Sequence, residues 1–255
     1  MRLTVVGCSG SVPGPSSAAS CYLVEADGFA LVLDLGNGAL GPLQRHVDLA
    51  AIGTVLLSHL HPDHCADACS LAVALEYGPF APADPIPVLG PAGLGDRLVE
   101  LHGGSGTALT GGLWSRFAVG EVEPVTWPVG PFQVTARRVV HPVEAYAYRL
   151  EHGGRVLAYS GDCAPCTGLD EVARAADLAL VEAGYAEPSP GDGGSAPGVH
   201  HTGREAGALA ARIGVGRLVV THVPPWLDPE SAAAAARTAF AGGVEPARPG
   251  AVYEV

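Results

Sequence analysis

The sequence predicts an α/β (α+β) fold, and three observations carry that expectation. Short apolar runs of strand length, such as Thr54-Val55-Leu56-Leu57 and Leu218-Val219-Val220-Thr221, recur along the chain and alternate with segments of helical character. Turn-forming residues punctuate them, as at Asp27-Gly28 and Gly36-Asn37-Gly38. Histidines and aspartates stand where the runs end, so polar donors gather at strand termini. One domain over residues 1–255 is expected, because a chain of 255 residues buries one sizeable core.

Residues 3–6 read as a first strand entering the loop Gly7-Cys8-Ser9-Gly10-Ser11, with Pro13-Gly14-Pro15 as turn material. That loop lacks the lysine of a P-loop and the spacing of a dinucleotide fingerprint. Residues 20–26 and 29–35 form a hairpin turned at Asp27-Gly28. Asp34 either caps the turn at Gly36-Asn37-Gly38 or accepts a hydrogen bond from a metal-bound imidazole. A short helix over 39–46 precedes the strand at 54–57, and a helix over 65–77 follows. On it Asp67 orients a ligand or supplies first-turn charge, and Cys65 and Cys69 are small core residues.

Residues 79–91 are Pro-rich with one short strand at 86–89, and 92–101 read as a helix. The Gly, Ser and Thr of 102–112 suggest a mobile loop over the site. Strands return at 132–140, 145–151 and 155–159, with a turn at His152-Gly153-Gly154. Then come a helix at 169–176, a buried strand at 177–182 ending in Glu182, and a flexible connection at 186–198. Thr202 with Glu205 three residues on makes a capping box for a helix through Ile213. A strand at 217–221, an Ala-rich helix at 229–240 and a strand at 251–255 close the chain.

His59, His61, Asp63 and His64 fall within six residues, directly after the strand at 54–57. Zinc is usually four-coordinate and a catalytic zinc keeps a position open, so this many donors in one loop point to two metals. Alternate residues of an extended chain face the same way, so His59 and His61 share one ion. Asp63 and His64 lie past the turn and reach a second. Downstream, His141, Asp162 and His222 each stand where an apolar strand gives way to a loop.

The pattern H-x-H-x-D-H at 59–64 resembles the signature of the metallo-β-lactamase superfamily. The resemblance implies a four-layer αββα sandwich with a two-metal site along one edge. It implies His59, His61 and His141 on one metal, Asp63, His64 and His222 on the other, and Asp162 bridging. Zinc, manganese and iron(II) all suit such a donor set.

Net charge is −12, from 26 acidic and 14 basic residues. An acidic surface repels a nucleic-acid backbone over its whole length, whereas two cations reverse the field locally for a small phosphorylated ligand. No large nucleic acid and no membrane are expected as partners, since no apolar run approaches the ~20 residues needed to cross a bilayer. A cytoplasmic location is the default expectation, and the six cysteines fit reduced thiols. Cys163-Ala164-Pro165-Cys166 has C-x-x-C spacing without a second pair, so it reads as loop thiol near the metals rather than a zinc or redox site.

Phosphoester hydrolysis needs protonation of the departing alkoxide, and His201 beside Glu182 is the expected donor. Glu182-Ala183 and His201-Thr202 resemble the Glu and His-Ser/Thr pairs of the phosphodiesterase branch of that superfamily. Residues 200–226 are similar to RNase Z, the tRNA 3′-end endonuclease, whose basic tRNA-gripping arm does not fit the 20 residues between His141 and Asp162. Most of the chain resembles the atypical class II cyclic-nucleotide phosphodiesterases. Thr4 to Ser11, Leu43-Gln44-Arg45-His46, Leu57-Ser58-His59-Leu60-His61, Ala158-Tyr159-Ser160-Gly161-Asp162 and Thr221-His222-Val223-Pro224-Pro225-Trp226 carry that likeness. It implies hydrolysis of 3′,5′-cyclic AMP to 5′-AMP, with Asp63 orienting the attacking water and His201 protonating the 3′ leaving oxygen. It also implies a homodimer. tRNA 3′ processing and non-catalytic metal or nucleotide binding are the alternatives. Trp114, Phe117, Tyr185 and Trp226 are candidates to stack on a base.

Overall fold

In the computed structural model, which describes residues 1–104, 112–184 and 198–255, single strands carry buried apolar side chains on both faces. In order, the first elements are β1 (Arg2–Ser9), β2 (Ala18–Ala19), β3 (Cys21–Ala26), β4 (Phe29–Leu33), α1 (Leu40–Leu43) and β5 (Ile52–Leu56). Next come α2 (Pro62–Cys65), α3 (Asp67–Tyr77), β6 (Ile86–Gly90), α4 (Leu94–Leu101), β7 (Phe117–Glu121), β8 (Thr126–Val129) and β9 (Phe132–Arg138). The rest are β10 (Tyr146–His152), β11 (Arg155–Tyr159), α5 (Thr167–Ala173), β12 (Leu178–Glu182), α6 (Gly203–Ile213), β13 (Arg217–Thr221), α7 (Pro229–Arg237), β14 (Gly243–Pro246) and β15 (Val252–Glu254).

Alternation sets the layers. Cys21 and Leu23 of β3 join a core with α3 and α4, while Tyr22 and Val24 join a second core between the sheets. Period-2 geometry demands that split, and a strand buried on both faces needs cover on both. One sheet runs β15-β1-β3-β4-β5-β6-β7 with β2 beside β1, and the other β14-β13-β12-β11-β10-β9-β8. A third core packs α5, α6 and α7 on the outer face of the second sheet. The expected αββα sandwich is therefore the observed one.

The hairpin turns at Asp27 and Gly28, both with positive φ (49° and 78°), as a two-residue type I′ turn requires. Thr202 caps α6 with the full capping box. Strands β7, β8 and β14 were not expected from the sequence, and the predicted helices 39–46 and 229–240 are shorter than anticipated. Most of the loop expected at 102–112, most of the connection at 186–198, and Tyr185 lie outside the described residues. Among the described residues no helix is long and apolar enough to cross a membrane.

Helices α6 and α7 approach closely through glycine: a Cβ on Gly207 would lie 2.2 Å from the Ala236 carbonyl oxygen. Alanine ordinarily favours a helix interior over glycine, but here the clash with backbone wins. Gly207→Ala should destabilise the fold by about 1–3 kcal/mol, read as a lower denaturant midpoint.

Candidate metal centre

The ligand loop leaves β5 in the first sheet, and Pro62 starts α2, which turns Asp63 and His64 inward. The second sheet faces it with the ends of β9, β11 and β13, where His141, Asp162 and His222 follow. All seven residues expected as metal donors converge at this seam, in two groups: His59, His61 and His141, and Asp63, His64, Asp162 and His222.

In the first group His61 Nδ1 lies 3.0 Å from His59 Nε2 and 3.3 Å from His141 Nε2. In the second, His222 Nε2 is 3.2 Å from both His64 Nε2 and Asp63 Oδ2, and His64 Nε2 is 3.5 Å from Asp63 Oδ2. Asp162 places Oδ1 3.2 Å from His64 Nε2, and Oδ2 3.2 Å from His222 Nε2 and 3.8 Å from His59 Nε2. Its carboxylate thus adjoins both groups. A tetrahedral ion with bonds near 2.0–2.1 Å spaces its ligands by roughly 3.3–3.4 Å, so the donor spacings fit.

Electrostatics points the same way. Burial holds His59 well below the usual imidazole range and pulls His141 down to about 4, so both are neutral and present lone pairs. Such nitrogens aimed at one point repel unless a cation lies between them. Burial opposes ionisation of Asp63, but hydrogen bonds with His222 and His64 prevail and keep it well below the ordinary carboxylate range. Asp162 likewise stays ionised against burial, through the charges of His222 and His64. Its Oδ1 and the Nδ1 of His222 are buried without hydrogen-bond partners.

Asp34 resolves its two readings in favour of the imidazole. Its Oδ2 sits 2.7 Å from His64 Nδ1 and accepts from the hydroxyls of Ser58 at 2.7 Å and Tyr159 at 2.5 Å. Its Oδ1 accepts from the Ser58 amide at 2.6 Å. These bonds leave His64 Nε2 facing the donors. Asp34→Asn should weaken metal binding by about 10–100-fold, measured by competition with a chromogenic chelator. Asp67 instead accepts from the Leu40 amide, bracing α1 on α3. The opening Gly/Ser loop brings backbone against His222, since a Cβ on Gly10 would lie 2.3 Å from the His222 carbonyl oxygen. His222 itself has φ +58°, strain of the kind found at functional sites.

The partner of Glu182 is the one departure. Sequence reading pairs it with His201, but His200 Nδ1 donates to Glu182 Oε2 at 2.9 Å. His201 turns inward, 1% exposed, with Nδ1 donating to the Cys163 carbonyl at 2.7 Å. It stays near, since donor atoms of Cys163, Glu182 and His201 lie within 4.8 Å of one another, but it does not face the metal donors. His200 lies in the bend before α6, while His201 directly precedes the Thr202 cap that anchors the helix start. His200 packs between His141 and His222, ring centroids 5.4 and 5.8 Å away. Burial lowers the His200 pKa, but the hydrogen bond and charge of Glu182 override it and raise it to about 9. Burial and the charge of Asp162 push Glu182 up to about 7.

Of the stacking candidates, Phe117 is buried in the core and Trp114 packs beside it, ring centroids 6.3 Å apart. Trp226 is 63% exposed on the loop after His222.

Comparison with known proteins agrees with this architecture. Protein Rv1339 of Mycobacterium tuberculosis is 41% identical over 253 residues, covering 96% of this chain and 88% of that one. The probable metallo-hydrolase YhfI of Bacillus subtilis is 30% identical with both chains fully covered. Its crystal structure superposes with a TM-score of 0.87 at 29% identity, over 100% of this chain and 99% of that one. Ribonuclease Z of Mycobacterium bovis is 30% identical over 96% of this chain and 95% of its own. A model of the Beta-lactamase superfamily domain matches residues 30–223. On its fold, its clustered donors and that match, the chain belongs to the beta-lactamase superfamily, in the metallo-β-lactamase fold.

Proposed function

We propose that this protein is a dinuclear-metal phosphodiesterase that hydrolyses 3′,5′-cyclic nucleotides, cyclic AMP foremost, to 5′-nucleotides. The observation that carries the reading is the His200–Glu182 pair set against two adjoining groups of metal donors. His59, His61 and His141 would hold one divalent ion, Asp63, His64 and His222 the other, with Asp162 shared. Bound there, such ions activate water and neutralise charge on the phosphoryl oxygens.

The chain's own groups complete the reaction. Asp63, held ionised, orients the attacking water. His200 has Nδ1 tied to Glu182, which fixes its tautomer and leaves Nε2 to protonate the departing 3′ oxygen. In this reading Glu182 is a positioning residue and His200 takes the part expected of His201. The exposed Trp226 is available to stack on the base.

Processing of tRNA 3′ ends is the second reading, favoured by the 30% identity with ribonuclease Z. Net charge of −12 weighs against it. So does the interval from His141 to Asp162, which β10 and β11 occupy without an inserted arm. Purified, metal-loaded protein should hydrolyse cyclic AMP or cyclic GMP and leave precursor tRNA intact. The opposite pattern establishes the second reading, and nucleotide binding without turnover establishes a sensor.

A further inference from the structure

Beside the strand that ends in His222 lies a cavity that hydrolysis does not use. Its volume is about 350 Å³, within the ~300–1,000 Å³ of small-molecule sites. Val220, Val223 and Ala247 line it from the buried interior. Pro15 of the opening loop and Pro225 and Leu227 of the segment after His222 complete its apolar walls. Proline has no rotamer freedom to lose, so these walls are ready-made for a ligand.

Charge decides which ligand. The chain holds 26 acidic residues to 14 basic, yet among the described residues that line the cavity none is acidic and Arg248 is basic. Arg248 Nη2 lies 3.8 Å from Glu230 Oε2, and its side chain is 67% exposed. The same carboxylate pairs with Arg237. Two guanidinium groups thus share one anion, which leaves positive charge at the edge of an apolar hollow.

We propose that this cavity is an effector site for an aromatic monoanion, a flat ring body carrying one carboxylate or sulfonate, with Arg248 on the charged group. One guanidinium matches one negative charge, and the rigid proline faces match a flat ring. The walls also belong to the two segments that hold His222 in place. The His222 amide donates to the Cys8 carbonyl and the Gly10 amide to the Val223 carbonyl, both at 3.1 Å. A Cβ on Gly14 would lie 2.6 Å from Pro225 Cβ, so the segments touch at the cavity as well. A ligand that contacts both braces the positive-φ backbone of His222 and favours metal binding by Asp63, His64 and His222. By linkage, metal tightens the ligand by the same factor. This coupling rests on the metal reading above, whereas occupancy of the cavity does not.

The probe is 8-anilinonaphthalene-1-sulfonate, titrated into metal-loaded protein and followed by its fluorescence. One molecule per chain should bind with a Kd of about 20 μM, the ordinary efficiency of a ligand that size. Cys8 lines the cavity and reports on it directly. Probe at about ten times its Kd should slow alkylation of Cys8 by iodoacetamide about tenfold, read by peptide mass spectrometry. Alkylation of Cys166, the other partly exposed thiol, should not change. Arg248→Ala should weaken the probe about fivefold. Saturating probe should raise the affinity for zinc about fivefold, measured by chelator competition. Lack of saturable binding, unprotected Cys8, or full affinity in Arg248→Ala overturns the site. Unchanged zinc affinity overturns its coupling to His222, and a protein that binds the probe but no zinc counts against the metal reading while the cavity stands.

Discussion

Asp162→Ala is expected to lower hydrolysis by about 10³-fold or more and to leave the protein with at most one tightly held divalent ion per chain. Its carboxylate adjoins donors of both groups, with Oδ1 on the His64 side and Oδ2 toward His222 and His59. On the proposed dinuclear reading, alanine removes the carboxylate that both ions would share, and the remaining histidines would face them with less negative charge between. Loss of several kcal/mol of charge stabilisation at the phosphoryl group corresponds to about that fold-change. Metal content by atomic emission and turnover on the same sample check both halves, and a variant with two ions and full rate would refute the bridging role. Removing metal from the native protein should act similarly. Metal restored to 100 times its Kd should stabilise the fold by about 2.7 kcal/mol and raise Tm by roughly 5–10 °C.

His200→Ala should cost about 10²–10³-fold in kcat with little change in metal content, because it removes a proton donor and no donor to the ions. His201→Ala should instead act mainly through stability, since that ring is buried on the Cys163 carbonyl. The pH profile separates the two roles. His200 is raised to about 9 and acts in its protonated form, so kcat should fall as pH rises through that region. Glu182 must be ionised to hold it and is raised to about 7, so kcat should also fall as pH drops through that value. Metal at Asp162 cancels charge that raises Glu182 and moves the acidic limb lower. These apparent values belong to the pair. In His200→Ala the alkaline limb should vanish, and if it persists unchanged, His200 is not the acid.

Legibility in the sequence followed the range of the forces involved. Strands buried on both faces, such as β12 and β13, carry the apolar runs at 178–181 and 218–220 and could be read directly. Strands β8 and β14 contain proline and β7 and β14 glycine, residues that signal turns; their pairing comes from neighbours remote in the chain. The donors at 59–64 share one loop, and local spacing exposed them. The choice between His200 and His201 depended on the Cys163 carbonyl and Glu182, contacts 38 and 18 residues away, which local pattern does not encode. Asp34 was ambiguous for the same reason: its partners include Tyr159, 125 residues away.

The donors come from opposite sides of the sandwich, four from the first sheet's loop and three from the second's strand ends, and this has a consequence for biogenesis. His64 leaves the ribosome about 160 residues before His222, so at ordinary synthesis rates the early cluster waits roughly 8–30 s for its complement. During that time the nascent chain offers only a weak chelate, and any ion it captures remains exchangeable. An ion held by donors from both halves is therefore expected to bind stably only once both have emerged and docked.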